Sequence, residues 1–160
     1  MTDPSTVGFD SHGAFESSDE GFSLITIPFD SHAEVTDAEY RIVVRVPTLD
    51  AATEEAVADA VLEGWFETFE RRIAHNDGTT RVNPGDPIVT LDVDAGEVRV
   101  EIGFETTIPA RGTEDAKALV DFVEGTYLQG VVPGYDYREP VAGLIQRAED
   151  RSKGAGGPPI

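Results

Sequence analysis

The chain contains no cysteine, which excludes disulfides, thiolate zinc sites and a cysteine nucleophile. Positive charge is scarce as well: 12 Lys and Arg stand against 31 Asp and Glu. Lysine is nearly absent, represented by Lys117 and Lys153. A formal charge of −19 on 160 residues lacks the basic patch that phosphate neutralisation requires, so no nucleic-acid partner is expected. No stretch approaches the roughly 18 apolar residues of a membrane span. The start Met1-Thr2-Asp3-Pro4 lacks the basic and apolar regions of a signal peptide. The expectation is a soluble, cytoplasmic protein with no membrane partner. Also missing are a Gly-x-Ser-x-Gly elbow, a His-Glu-x-x-His pair and either common Gly-rich phosphate loop. No catalytic residue can therefore be named, and no cofactor is expected.

What the chain has in quantity is carboxylate, and two explanations compete. An acidic surface can mimic nucleic acid or bind a basic partner, which favours clustered acids. It can also hold water in a salt-rich cytoplasm, where the Debye length falls to about 3 Å at 1 M and self-repulsion is screened. Acids recur in almost every segment from Asp3 to Asp150. That spread, with the scarcity of lysine stems, favours the brine reading. Leu, Ile, Val and Phe make up about a quarter of the chain, above the ~20% below which a charged chain tends to stay disordered.

A β-rich run from Phe22 ends at Pro28-Phe29, and Asp19-Glu20-Gly21 before it suits a hairpin turn. From Glu39 the alternation sets Tyr40, Ile42, Val44 and Val46 on one face and Glu39, Arg41 and Arg45 on the other. Thr53-Glu54-Glu55-Ala56 resembles a helix start, followed by Val57, Val61, Trp65, Phe69 and Ile73 at near-helical spacing. Val89, Leu91 and Val93 resume the alternation, Ala95-Gly96 turns the chain, and Val98, Val100, Ile102 and Phe104 point inward on the return. A second helix is expected to open at Thr113-Glu114-Asp115-Ala116, bury Leu119, Val120, Val123 and Tyr127, and close at Gly130. Pro140 suits the first turn of a last helix with Val141, Leu144, Ile145 and Ala148 on one stripe. Strand, strand, helix thus occurs twice, and the residues leave a true duplication open. The expected fold is α+β: a two-layer, four-stranded, mostly antiparallel sheet with two main helices on one face (ββαββα) and short flanking helices. It occupies residues 1–152 as a single domain, with a disordered tail at 153–160.

Candidate sites are few. Phe-Asp-Ser-His occurs at residues 9–12 and 29–32, so Asp10, His12, Asp30 and His32 could share a metal if the segments met. Both are expected at surface positions, and no metal site is assigned. Arg41, Arg45 and Arg99 alternate with acids on the outer sheet face, which reads as cross-strand ion pairing ahead of an anion site. The Pro-bounded loop from Val131 to Pro140 carries Tyr135, Tyr137 and Arg138, residue types that anchor interfaces. It reads equally as a rigid connector. Glu63, Trp65, Glu124 and Tyr127 would line a ligand pocket if one lay between sheet and helices.

The Tyr135-Asp136-Tyr137-Arg138-Glu139-Pro140 loop resembles a haloarchaeal family of small acidic proteins classed as a domain of unknown function. The same likeness runs through Val61-Leu62-Glu63-Gly64-Trp65-Phe66-Glu67-Thr68, His12-Gly13-Ala14-Phe15-Glu16 and Leu119 to Tyr127. It implies a source and no activity. The function expected from the residues is a noncatalytic interaction module that self-associates or binds an unknown protein partner through Tyr135, Tyr137 and Arg138. The alternative is a small enzyme or ligand-binding domain using the sheet–helix pocket.

Overall fold

In the computed structural model the described residues are 8–9, 12–13, 15–18, 21–24, 27–76, 79–80 and 84–156. The elements run β1 (Phe15–Ser18), β2 (Gly21–Leu24), β3 (Asp30–Thr36), β4 (Glu39–Pro47), α1 (Leu49–Ala52), α2 (Asp59–Ala74), β5 (Ile88–Asp92), β6 (Glu97–Glu105), α3 (Pro109–Gln129) and α4 (Val141–Gly156). The class is α+β and the sheet is antiparallel, but among the described residues it has six strands in the order β1-β2-β3-β4-β6-β5, where the sequence predicts four. The two extra strands have a physical explanation. β1 is four residues long, and β3 presents Ser31, Ala33 and Val35 to the core side, a face too small and polar to announce itself by alternation.

β4 and β6 form the centre because both alternate over nine residues. Tyr40 pairs with Phe104, Ile42 with Ile102, Val44 with Val100 and Val46 with Val98, all buried and all on the helical side. Rows of apolar pairs one pleat apart fix the register, since a slip of one residue would turn the set to solvent. The β3–β4 turn holds Asp37 and Ala38 at φ 49° and 72°. Both residues are left-handed, as a two-residue hairpin turn demands, although neither is glycine.

The helical layer closes on this face. Leu119, Val120 and Val123 of α3, Trp65, Phe69 and Ile73 of α2, and Val141 and Leu144 of α4 join one cluster with the inward residues of the strands. α3 comes close enough for Gly112 to lie against the Tyr40 ring, where an added Cβ would fall within 3.0 Å of ring atoms. The glycine therefore sets the helix–sheet distance. Helix starts depart from the sequence pattern. α2 opens at Asp59, six residues after Thr53, whose hydroxyl instead donates to Glu55 O at 3.1 Å. α3 opens at Pro109, where proline's missing N–H costs nothing. Gly130 closes α3 as expected. α4 starts after Pro140 and continues to Gly156, past the expected domain limit; residues 157–160 lie outside the described residues.

Candidate functional site

The side of the sheet turned away from the helices carries a charged ladder in register. Asp30, Arg45, Arg99 and Thr90 form one row across β3, β4, β6 and β5. His32, Val43, Glu101 and Ile88 form the next, and Glu34, Arg41 and Gly103 the third. Arg41 bridges Glu34 and Glu101, Arg45 donates to Asp30 at 3.2 Å, and Arg99 donates to Glu101 at 3.3 Å. The hydrogen bond to Glu34, reinforced by the one to Glu101 and opposed by partial burial, holds the Arg41 guanidinium above its usual pKa. Ion pairing on this face follows the expectation from the alternation for Arg41 and Arg45, which find cross-strand partners on β3, whereas the Arg99–Glu101 pair lies within β6. In the same rows Val43 is fully buried and His32 is 6% exposed.

Two concavities open on this face. One of about 660 Å³ lies where Gly85 and Asp86 approach Arg41, Gly103 and Glu105. The other, about 530 Å³, is walled by Gly21, His32, Glu34, Arg41, Arg45 and Arg99. At the strand ends the same face turns acidic, with Glu97 and Asp92 at one end and Glu39 and Glu105 at the other. Arginines therefore occupy the middle of an otherwise acidic surface.

Of the expected sheet–helix pocket residues, Trp65 and Tyr127 come together, while Glu63 and Glu124 lie elsewhere. Trp65 and Tyr127 meet edge to face at 5.9 Å, Phe69 stacks on Trp65 at 5.7 Å, and Phe29 closes on Tyr127 at 5.0 Å. Aromatic rings fill the space in which a ligand would sit. Burial pushes the Tyr127 phenol far above its usual range. Glu63 is exposed on another face of α2, in the solvated acidic ladder with Asp59 and Glu67. Glu124 turns towards α4, where it lines a groove of about 420 Å³ with Leu144, Arg147, Asp150 and Arg151. Burial, then the neighbouring Asp121, raises its carboxyl pKa, and Arg151, Arg147 and Lys117 offset part of the rise.

The tyrosine loop is laced to the segment before α2. The Tyr137 hydroxyl accepts from Val132 N at 2.8 Å and donates to Val132 O at 3.3 Å. Arg138 donates its backbone N–H to Ala52 O at 2.7 Å and its Nε–H to Thr53 O at 3.1 Å. Glu54 N donates to Asp136 O at 2.8 Å, and Asp136 N donates to the Glu55 carboxylate. Burial raises the Tyr137 phenol pKa, opposed by its bond to Val132. Tyr137 and Arg138 thus hold the connector in place, while Tyr135 is half-exposed beside them.

The histidines of the two Phe-Asp-Ser-His segments have different partners. The His12 ring lies 2.9 Å from Glu114 on α3, whereas His32 sits on the outer sheet face 3.6 Å from Glu34. Asp10 lies outside the described residues. Among the described residues no group of three or more His, Asp or Glu is arranged to hold a metal, and no helix is long and apolar enough to cross a membrane.

No curated protein and no solved structure matches the chain. A family model does match, over residues 10–147, which takes in all six strands and both central helices. The protein belongs to that family, a family of unknown function (DUF5813).

Proposed function

We propose that the protein is a noncatalytic interaction module whose recognition surface is the open face of the sheet. One observation carries this reading: the aromatic rings of Phe29, Trp65, Phe69 and Tyr127 fill the interior between the layers, while the outer face keeps its two concavities among charged side chains. The aromatic packing between the layers supports this reading over a sheet–helix ligand pocket. Arginine is also among the residues that anchor interfaces. Tyr137 and Arg138 serve the scaffold in this reading, through their hydrogen bonds to Val132, Ala52 and Thr53. The occupant is a second copy or another protein.

The test is solution mass by light scattering in molar salt, together with the proteins that co-purify. Gly103 lies on the open face, where an added Cβ meets only Tyr40 O at 3.5 Å, an ordinary contact. Gly103→Arg therefore obstructs the surface without disturbing the core, and it should abolish association. Tyr135→Ala should leave association intact. A wild-type chain that is monomeric and brings no protein with it at any salt concentration refutes the reading.

The acidity belongs to the same proposal as adaptation to brine. With −19 formal charges, stability should rise steadily with added salt as repulsion is screened. Equal unfolding temperatures in molar and millimolar salt would remove that explanation.

A further inference from the structure

The helical layer has a concavity of its own, a groove of about 330 Å³ along α2 where it passes the end of α3. Val61, Gly64, Trp65 and Arg72 line it from α2, at the spacings that share one side of a helix, and Gly130 and Val132 face them. No residue of its lining is acidic, whereas the concavities of about 660, 530 and 420 Å³ are all walled by carboxylates. The acids of α2, Asp59, Glu63, Glu67 and Glu70, lie round the far side of the helix. On a chain of −19 formal charges, this groove is therefore the place where an anion meets least repulsion. Two donors in it lack acceptors. Trp65 is 7% exposed and its indole N–H makes no hydrogen bond among the described residues, a costly state for a nearly buried donor. Gly130 has no side chain to cover that nitrogen: an added Cβ would stand 3.3 Å from Nε1. Arg72 is half-buried and forms no ion pair among the described residues, although acids outnumber basic residues 31 to 12.

We infer that this groove binds a small monocarboxylate with an apolar tail. The carboxylate accepts from the Arg72 guanidinium, which can offer two parallel hydrogen bonds, and from Trp65 Nε1–H. The tail lies over Gly64, against Val61, which is 40% exposed, and Val132. Size and charge select this class. A volume of about 330 Å³ stands at the lower end of the roughly 300–1,000 Å³ of small-molecule sites. One guanidinium balances one negative charge, and a second would meet only the acidic surroundings. A cation finds no carboxylate in the lining, and a neutral alcohol leaves Arg72 without a counter-ion. The groove lies outside the packed layers, on the other side of the molecule from the open sheet face, so its occupancy is independent of that surface.

The test is titration with hexanoate, acetate, hexanol and hexylamine at constant ionic strength, followed by calorimetry and by the fluorescence of Trp65, the one tryptophan of the chain. Hexanoate should change the signal saturably, and the other three should bind at least tenfold more weakly. Arg72→Gln should weaken hexanoate at least tenfold and leave hexanol unchanged, while Arg111→Gln on α3 alters neither. Gly64 is exposed and an added Cβ meets nothing within 4 Å. Gly64→Leu should therefore raise the melting temperature through helix propensity and still abolish hexanoate binding by filling the groove. That loss cannot come from a loosened fold. The proposal is overturned if hexanoate leaves Trp65 unchanged, if hexanol or hexylamine binds as tightly, if Gly64→Leu binds as the wild type does, or if Arg111→Gln weakens binding as Arg72→Gln does. Tenfold tighter binding of the peptide acetyl-Leu-Glu-Leu-amide would also overturn it, by assigning the groove to a partner protein.

Discussion

Replacing glycine by alanine at two positions of α3 should have opposite effects. Gly125 is exposed and a Cβ there meets nothing within 4 Å, so Gly125→Ala should gain the helix-propensity difference, about 1 kcal/mol. Gly112 is buried under the Tyr40 ring, where the same Cβ falls on ring atoms. There the propensity gain is offset by an overpacking cost of about 1–3 kcal/mol or more, because Tyr40 is itself stacked on Phe104 at 5.1 Å and tilted against Phe9 at 5.9 Å. With no room to swing aside, the ring forces α3 outwards. The propensity gain is common to both, so the two variants should differ by the overpacking cost, roughly 1–3 kcal/mol in unfolding free energy, which for a domain of this size is about 2–12 °C in melting temperature. Circular dichroism melts and urea titrations in molar salt measure both quantities. A double-mutant cycle with Tyr40→Leu identifies the cause: in that background Gly112→Ala should become harmless or stabilising. If Gly112→Ala stabilises the wild-type chain as Gly125→Ala does, the helix does not rest on Tyr40 and the account of its spacing is wrong.

Ala38 occupies the left-handed region at φ 72°, so Ala38→Gly should raise stability by roughly 0.5–1 kcal/mol in the same melts; a loss would show that the turn is not strained. The raised carboxyl pKa of Glu124 means that its folded form binds a proton more tightly than its unfolded form. Its burial therefore costs stability at neutral pH, and the cost disappears as pH falls through the raised value towards the ordinary carboxylate range. Glu124→Gln should stabilise the protein at pH 7 and lose that advantage in acid; a gain independent of pH would refute the assignment. Tyr137→Phe removes both hydroxyl bonds to Val132 and should cost about 1 kcal/mol with faster amide exchange at Val132, whereas unchanged exchange would mean that the loop is held by other contacts.

The α+β class, the hairpin of β5 and β6, the inward faces of β4 and β6 and the charged outer rows were legible in the residues. Those rest on strict period-two alternation, which survives whatever the rest of the chain does. Tertiary structure decided the remainder. Thr53-Glu54-Glu55-Ala56 and Thr113-Glu114-Asp115-Ala116 look alike, yet the first begins with an extended Thr53 bridged to Tyr137 and bends at Glu54 and Glu55, and the second lies inside α3 with the Thr113 hydroxyl donating to Pro109 O. A cap pattern states only that a helix could begin, and long-range partners choose whether it does. β3 was hidden for a similar reason: Ser31 and Ala33 are core residues because Val44 and Ile42 stand opposite them, not because they are apolar enough to be recognised. The arginines were legible as an outward-facing set. That Arg45 and Arg99 stand directly opposite each other depends on the register of β4 on β6, and no local spacing encodes the pairing of strands some fifty residues apart.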